Sequence, residues 1–286
     1  MKIILSRKGF DSSSGGVASP ILPDGTLLSL PIPDATGPIT YADLEWQGHA
    51  VGTLVESLTR KRVRRHQRAH LDPDIYAAIR PRLSAWRPLF GQDGAAQSHL
   101  TNQGVGPGDL FLFFGWFREV QKVGRGYRFV RHAPDQHVIY GWLQVGEIWQ
   151  GPQLSERLPA WAGSHPHCTG GRGVRNTIYV AADQLTLPGQ VLPPLPGAGC
   201  FAGYDERYCL TAPQALRTQW RLPRWFYPNR ARAPLTYHGD PMRWAVDERY
   251  AYLRSATRGQ EFVLDSAAYP EALPWLHNLV STTTGR

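Results

Sequence analysis

The sequence predicts a β-rich α+β protein with a mixed or mostly antiparallel sheet. Short apolar runs bounded by glycine, proline and Asp-Gly pairs recur along the chain, which is typical of strands joined by turns. Proline also recurs throughout and limits the length of any helix. No internal repeat is visible. We therefore expect residues 1–286 to form a single domain, with a sub-boundary near the Pro/Gly-rich stretch 188–199.

The composition indicates a globular protein with a basic surface. Lys and Arg number 31 against 23 Asp and Glu, a net charge of +8, and nearly all of the basic residues are Arg. Arginine favours bidentate phosphate contacts, so DNA is the expected partner. No apolar segment approaches the roughly 20 residues of a membrane span, and no membrane partner is expected. Three cysteines without C-x-x-C spacing fit a reducing cytoplasm.

The chain begins with an apolar run, Ile3 to Leu5, that predicts a strand followed by a polar loop. Charged side chains and backbone amides at a strand end suit phosphate binding. The candidate binding residues of this loop are Arg7, Lys8, Ser12 and Ser13. Asp11 is a candidate catalytic carboxylate, and the alternative is that it organises the loop as an Asx turn. The loop lacks the triphosphate-binding G-x-x-x-x-G-K-[ST] pattern and is too polar for a signal peptide.

The next segments predict a second strand over Leu27 to Ile32 and a brief helix start at Thr40 to Leu44. The basic run Arg60 to Arg68 is either a solvated face or a grip on the DNA backbone. Asp72 or Asp74 is predicted to cap a helix that carries Ile75, Ile79 and Leu83.

Further strands, and a small helix after Pro270, are predicted in the middle and C-terminal parts of the chain. The strands are expected over residues 109–118, 127–130, 137–149, 176–181 and 259–264. The first of them ends in Arg118, a candidate substrate-binding group.

Polar side chains cluster just before the strand that begins at residue 109. Gln97, His99, Asn102 and Gln103 lie within a few residues of one another, and amides suit base edges because each has a donor and an acceptor. Trp116 could stack on a base. The alternatives are amides that cap a helix end and an aromatic residue that belongs to the core.

Several stretches resemble the nucleotide-modification-associated domain proteins of the third type. The stretches are 6–12, 20–25, 90–100, 108–117, 222–226 and 259–263. The resemblance implies a protein that makes, reads or removes hypermodified DNA bases, often in a phage-related setting. A looser similarity, at Gly108-Asp109 and residues 139–145, is to small β-barrels that hold flipped modified bases. A small base-binding β-barrel-like part is therefore also expected.

The chemistry that the residues permit without a cofactor is excision of a base. We expect a DNA glycosylase-like hydrolase in which Asp11 activates water or stabilises an oxocarbenium-like state. His165, His167, or Arg175 with Asn176, would assist the departing base by protonation or hydrogen bonding. The alternatives are a transferase that synthesises a hypermodified base and a non-catalytic reader of modified DNA. His165-Pro-His167-Cys168 offers metal ligands, but no matching second cluster is evident, so neither a metal nor another cofactor is expected.

Overall fold

The computed structural model describes residues 1–151, 154, 158–169, 173–229, 232–257 and 259–281. Its strands are β1 Lys2–Arg7, β2 Ser19–Ile21, β3 Ile32–Pro33, β4 Ile39–Thr40, β5 Glu45–Trp46, β6 His49–Ala50, β7 Arg68–His70, β8 Leu89–Gln92, β9 Leu110–Val123, β10 Gly126–Phe129, β11 Gln136–Gln150, β12 Thr177–Ala181, β13 Ala198–Cys200, β14 Gln219–Pro223, β15 Trp244–Val246, β16 Tyr250–Arg254 and β17 Glu261–Asp265. The α-helices are α1 Val51–Leu58, α2 Gly94–Asn102 and α3 Ala272–Val280. The predicted α+β class is confirmed.

A large sheet organises the molecule, and β9 lies at its centre. The strand order is β17-β1-β9-β11-β12-β8, with β2 and β10 also paired to β9 and β13 paired to β11. β1 and β2 run parallel to β9, and the other pairs of this sheet are antiparallel. The first half of β9 is an uninterrupted apolar run that is buried on both faces, as expected for a central strand covered on each side.

The described sheets remain open. The path of the large sheet has β17 at one end and β8 at the other, and the remaining strands form two three-stranded sheets and one two-stranded sheet. Because the two end strands do not pair with each other, no closed barrel forms among the described residues. The expected barrel-like part is therefore not found there.

Five of the strands predicted in the middle and C-terminal regions are present, as β9, β10, β11, β12 and β17, and the helix predicted after Pro270 is α3. The strand predicted over Leu27 to Ile32 was wrong, since only a single bridge at Leu27 and the two residues of β3 pair there. The helix predicted after Asp72 or Asp74 was also wrong. Asp74 instead pairs with Leu89 through the backbone, and only the short 3-10 turn Ala77–Ile79 forms.

Aromatic side chains fill the core on the two sides of β9. Phe113 contacts the rings of Phe90 and Tyr140, whereas Phe114 contacts those of Trp220 and Phe262. Successive strand residues point to opposite faces, so this one strand supplies both halves of the core. The main core cluster includes residues from Ile3 to Val280. None of the described helices has the length and apolar character that crossing a membrane requires.

The Phe113→Ala variant is expected to lose about 3–5 kcal/mol of unfolding free energy. The side chain is fully buried, and its removal leaves a cavity between Phe90 and Tyr140. Val123→Ala is the matched control because Val123 lies in the same strand but is 47% exposed. Urea unfolding of both variants measures the effect. Equal losses in the two variants would contradict the central position of Phe113.

Candidate functional site

A pocket of about 400 Å³ lies at the end of β1, and we call it the Asp11 pocket. Its walls come from three parts of the chain. These are the end of β1 with the loop that follows it, the paired strands β9 and β11, and the segments just before β14 and just after β16. Its lining residues are Arg7, Phe10, Asp11, Ser12, Ser13, Trp116, His137, Arg217, Thr218, Thr257, Gly259 and Gln260. Five residues that the sequence singled out thus lie together, namely Arg7, Asp11, Ser12, Ser13 and Trp116.

Asp11 organises the loop that it belongs to. Its Oδ1 accepts hydrogen bonds from the backbone N–H of Ser13 and Ser14, at 2.8 and 2.7 Å, and from the Ser13 hydroxyl at 2.7 Å. The Asx-turn role considered from the sequence is therefore present. Within the described part of the chain, all side-chain hydrogen bonds to Asp11 go to Oδ1, so Oδ2 is available for the pocket.

Two guanidinium groups give the Asp11 pocket a positive charge. Arg7 is held by the carbonyl oxygens of Thr257 and Gly259, at 3.1 and 2.7 Å. Burial lowers the pKa of Arg7, while the Asp11 carboxylate opposes that shift. Arg217 lies over the Trp116 ring, with its guanidinium carbon 4.1 Å from the ring centroid. Because arginine stays protonated, two cations and one carboxylate make this a site for an anionic ligand.

His137 supplies a buried neutral imidazole to the same pocket. Burial, with Arg7 and Arg217 nearby, lowers the pKa of His137 to about 3. Trp220 Nε1 donates a hydrogen bond to His137 Nδ1 at 3.0 Å, so the proton of the neutral ring is on Nε2. Sequence reasoning missed His137 and Arg217 as site residues. A histidine at the start of an otherwise apolar strand was the available signal for His137, and no signal marks Arg217.

Two of the amides predicted for base recognition, Gln97 and Asn102, line a different pocket of about 490 Å³, which we call the Asn102 pocket. Its lining residues are Gln97, Ser98, Thr101, Asn102, Gln150, Val174, Arg175, Asn176 and Thr177. The Gln97 amide accepts from the Tyr179 hydroxyl at 3.1 Å and donates to Thr101 Oγ1 at 3.2 Å. Arg175 donates to Ser98 Oγ at 3.1 Å.

The predicted catalytic residues therefore divide between two places. Asn176 lines the Asn102 pocket and its Oδ1 lies 2.7 Å from His167 Nδ1, so those two residues are joined. Neither is among the described residues that line the Asp11 pocket. The structure does not bring them to Asp11, because β9 and β11 lie between β1 and β12 in the large sheet.

Lys8 does not have the phosphate-binding position predicted for it, because its side chain pairs with a buried carboxylate. Its Nζ lies 2.8 Å from Glu261 Oε1, which also accepts from the Gln92 amide at 2.6 Å. The side chains of Lys8 and Glu261 are only 9% and 1% exposed. Lys8 therefore neutralises a buried charge and does not line the Asp11 pocket.

The other three predicted binding residues have local partners. His99 Nε2 lies 3.1 Å from Thr236 Oγ1, and its ring lies beside Tyr237. Gln103 ends α2, and its backbone N–H donates to His99. Arg118 donates to the Val130 carbonyl and lies 4.0 Å from Asp135, the carboxylate that accepts from Trp116 Nε1. Arg118 therefore lies close to the Asp11 pocket but does not line it.

A compact histidine–carboxylate cluster forms beside β8, an end strand of the large sheet. Its four residues are His70, Asp72, His165 and His167. His165 Nε2 lies 3.2 Å from Asp72 Oδ1, and the Nε2 atoms of His70 and His167 are each 3.9 Å from Asp72 Oδ2. The second group of potential metal ligands, which the sequence did not reveal, is thus His70-x-Asp72.

The protonation states of this cluster follow from burial and pairing. Burial would raise the pKa of Asp72, but His165 and His167 hold it below its usual value. Burial would likewise lower the pKa of His165, but Asp72 raises it to about 9. Burial lowers the pKa of His167 to about 4, so this ring is neutral at pH 7. The ionised Asp72 carboxylate therefore lies beside a protonated His165 and a neutral His167.

A family model described as nucleotide modification associated domain 3 matches residues 2–265. No curated protein and no solved structure matches the chain.

We expect His137 to make the protein less stable in acid. Its pKa is about 3 in the folded chain against 6.5 ordinarily, so between these values the unfolded chain binds the extra proton. Unfolding free energy then falls as pH falls from about 6.5 toward 3, by at most about 1.4 kcal/mol per pH unit for one proton. His137→Asn keeps an acceptor for Trp220 and is expected to flatten this dependence in urea unfolding at several pH values. His66→Asn, at an exposed position, is the control. The same slope in all three proteins would contradict the assignment.

Proposed function

Because the chain belongs to the nucleotide modification associated domain 3 family, we propose that it is a DNA-binding hydrolase that excises a modified base. The family membership gives only the association with nucleotide modification. The hydrolase assignment rests on the Asp11 pocket, where a carboxylate, two guanidinium groups, an indole and a neutral imidazole surround one space. Its volume is within the range of about 300–1,000 Å³ for small-molecule sites.

The lining residues support binding of a nucleotide rotated out of the DNA helix. An enzyme that acts on one base of a duplex must expose it, and a flipped nucleotide presents a phosphate, a sugar and a base together. Arg7 and Arg217 suit the phosphate, and Trp116 offers an aromatic surface for a base. The Ser12 and Ser13 hydroxyls add polar contacts at the rim. This set of groups fits the three parts of a nucleotide.

The proposed reaction is hydrolysis of the N-glycosidic bond. The bond from the sugar C1′ to the base nitrogen breaks, the electron pair leaves with the base, and positive charge develops on the sugar. Asp11 Oδ2 stabilises that charge and takes a proton from the water that attacks C1′. His137 Nε2–H donates a hydrogen bond to the departing base, which then takes up a proton from solvent while Asp11 releases to solvent the proton that it took from water. The products are a free base and an abasic site.

The basic run Arg60 to Arg68 supports a DNA-binding surface beside this pocket. Most of its side chains are exposed, although Arg65 pairs with Glu56 at 2.8 Å. Arg62 lies against Gly16 of the Asp11 loop, since a Cβ atom on Gly16 would be 3.4 Å from the guanidinium. Phosphates gripped by this run would therefore lie next to the pocket opening.

The proposed setting is defence against phage whose DNA carries hypermodified bases. That setting rests on the family association alone. A reducing cytoplasm fits the three cysteines, all of which are free thiols.

Incubation with phage DNA of defined modifications is expected to produce alkali-labile abasic sites. Asp11→Asn should lower the rate by about 10²–10⁴-fold, because it removes the charge and the base. Asparagine still supports an Asx turn, so the loop is preserved. Asp240→Asn is the matched control, since Asp240 is also a turn carboxylate that accepts from a backbone N–H two residues on, that of Met242 at 2.9 Å. Strand cleavage after alkali treatment is the measurement.

Absence of abasic sites on every modified DNA, with DNA binding unchanged in Asp11→Asn, would overturn the hydrolase. Tight binding without reaction would then identify a reader. A new base mass that depends on an added donor molecule would identify a transferase instead.

The double variant Arg60→Gln/Arg64→Gln is expected to lower the slope of log affinity against log salt by about 1.8. Each phosphate contact that is lost removes about 0.9 from that slope for duplex DNA. Arg249→Gln/Arg254→Gln changes two exposed arginines at the separate β14–β16 sheet and is the control. Fluorescence anisotropy of labelled duplex DNA across a salt series gives the slopes. An unchanged slope in the Arg60/Arg64 variant would assign the run to a solvated loop.

A further inference from the structure

We propose that His70, Asp72 and His167 bind a divalent first-row transition-metal ion. The Nε2 atoms of the two histidines and a carboxylate oxygen of Asp72 all lie within 4.8 Å of one another. In a tetrahedral site with bonds of about 2.1 Å, ligand atoms are separated by about 3.4 Å. The distances of 3.9 Å from the two Nε2 atoms to Asp72 Oδ2 are therefore close to the spacing between ligand atoms around a bound ion. Small side-chain movements would bring the three ligand atoms to that spacing.

Both histidines are oriented through their other ring nitrogen. His70 Nδ1 lies 2.8 Å from Asp34 Oδ2, and His167 Nδ1 lies 2.7 Å from Asn176 Oδ1. With an oxygen accepting at Nδ1 of each ring, Nε2 is the nitrogen that faces Asp72 and would bind the ion. Metal-binding histidines are held in this way by a carboxylate or carbonyl oxygen behind the ring. Two independent rings with the same arrangement around one carboxylate indicate a built site.

A glycine in β8 makes room for His167, the third of the proposed ligands. A Cβ atom at Gly91 in β8 would lie 2.2 Å from His167 Cγ, so only glycine lets this ring approach the strand. The backbone N–H of the same Gly91 donates to Asp72 Oδ1 at 2.8 Å, which turns Oδ2 toward the two Nε2 atoms. One residue of the strand thus positions both Asp72 and His167.

The donor set decides the class of ion. Two imidazoles and one carboxylate are the ligands of open Fe(II), Mn(II), Co(II) and Zn(II) sites, whereas Mg²⁺ and Ca²⁺ prefer oxygen alone. His165 is a partner of the carboxylate and not a further ligand. Its Nδ1 accepts from the His167 backbone N–H at 3.2 Å, so Nε2 carries a proton and faces Asp72 Oδ1 at 3.2 Å. Asp72 and Asp34 together supply two negative charges for the dication.

The site is connected to solvent and to the Asn102 pocket. The side chains of His70 and Asp72 retain 12% and 5% exposure, which gives the ion an approach. Asn176 contacts His167 on one side and lines the Asn102 pocket on the other. A ligand in that pocket would be one side chain away from His167.

The test is titration of the full chain, stripped with a chelator, with Co(II) alone. We expect saturation at one ion per chain, visible absorption bands, and displacement by Zn(II). His70→Gln and His167→Gln should lose the bands, whereas His277→Gln, on α3, should keep them. Circular dichroism checks that each variant is folded.

Two positioning variants keep the proposal testable if the ligand variants unfold. Asp34→Ala and Asn176→Ala retain all three ligands and are expected to weaken Co(II) affinity by about 10–100-fold. Absence of saturable Co(II) and Zn(II) binding by the folded wild-type chain would overturn the proposal, as would unchanged binding in both His70→Gln and His167→Gln. No DNA is used, so the outcome is independent of the hydrolase assignment.

Discussion

The pairing of β9 with β1 and β11 is the constraint on which the Asp11 pocket depends. The parallel register with β1 sets Arg7 opposite Phe114, and the antiparallel register with β11 sets His137 opposite Trp116. A one-residue slip would send every side chain of β9 to the other face and would move Trp116 out of the pocket. The buried aromatic side chains of Phe113 and Phe114 oppose such a slip, since each fills a different side of the core.

A second constraint lies at β8, where one short strand separates two polar clusters. Gly91 accommodates His167 and fixes Asp72, while the Gln92 side chain reaches Glu261 beside Lys8. Consecutive strand residues point to opposite faces, so the two clusters cannot share a ligand. Each buried carboxylate has its own compensation: histidines surround Asp72, and an ammonium and an amide hold Glu261. Buried charges persist only with such partners.

The sequence predicted six strands of the large sheet, β1, β9, β10, β11, β12 and β17, and the loop at the end of β1, since both depend on local pattern. The short strands β2, β8 and β13 were not predicted. A short, aromatic-rich apolar run such as Leu110 to Phe114 predicts a buried strand. A loop that follows β1 directly must lie at the end of that strand. The histidine–carboxylate cluster had only a partial local signal, since His165-Pro-His167 was visible as a source of metal ligands but its partners His70 and Asp72 were not. Asp72 was interpreted as a helix cap because capping uses the same residue type, and only the fold brings it to His165 and His167. Arg217 likewise reaches the Asp11 pocket through the packing of a distant segment.

The two candidate sites have opposite electrostatic character, and this follows from which charges each one buries. The Asp11 pocket sets two guanidinium groups against one carboxylate, so it attracts anions and repels a dication. The histidine cluster pairs neutral His167 with Asp72. Burial would raise the pKa of Asp34 behind His70, but hydrogen bonds from Thr36 and His70 lower it, so that carboxylate is charged as well. The charges of the Asp11 pocket therefore favour phosphate oxygens, whereas those of the histidine cluster favour a metal ion. The difference matters because phosphate oxygens are themselves ligands for divalent ions.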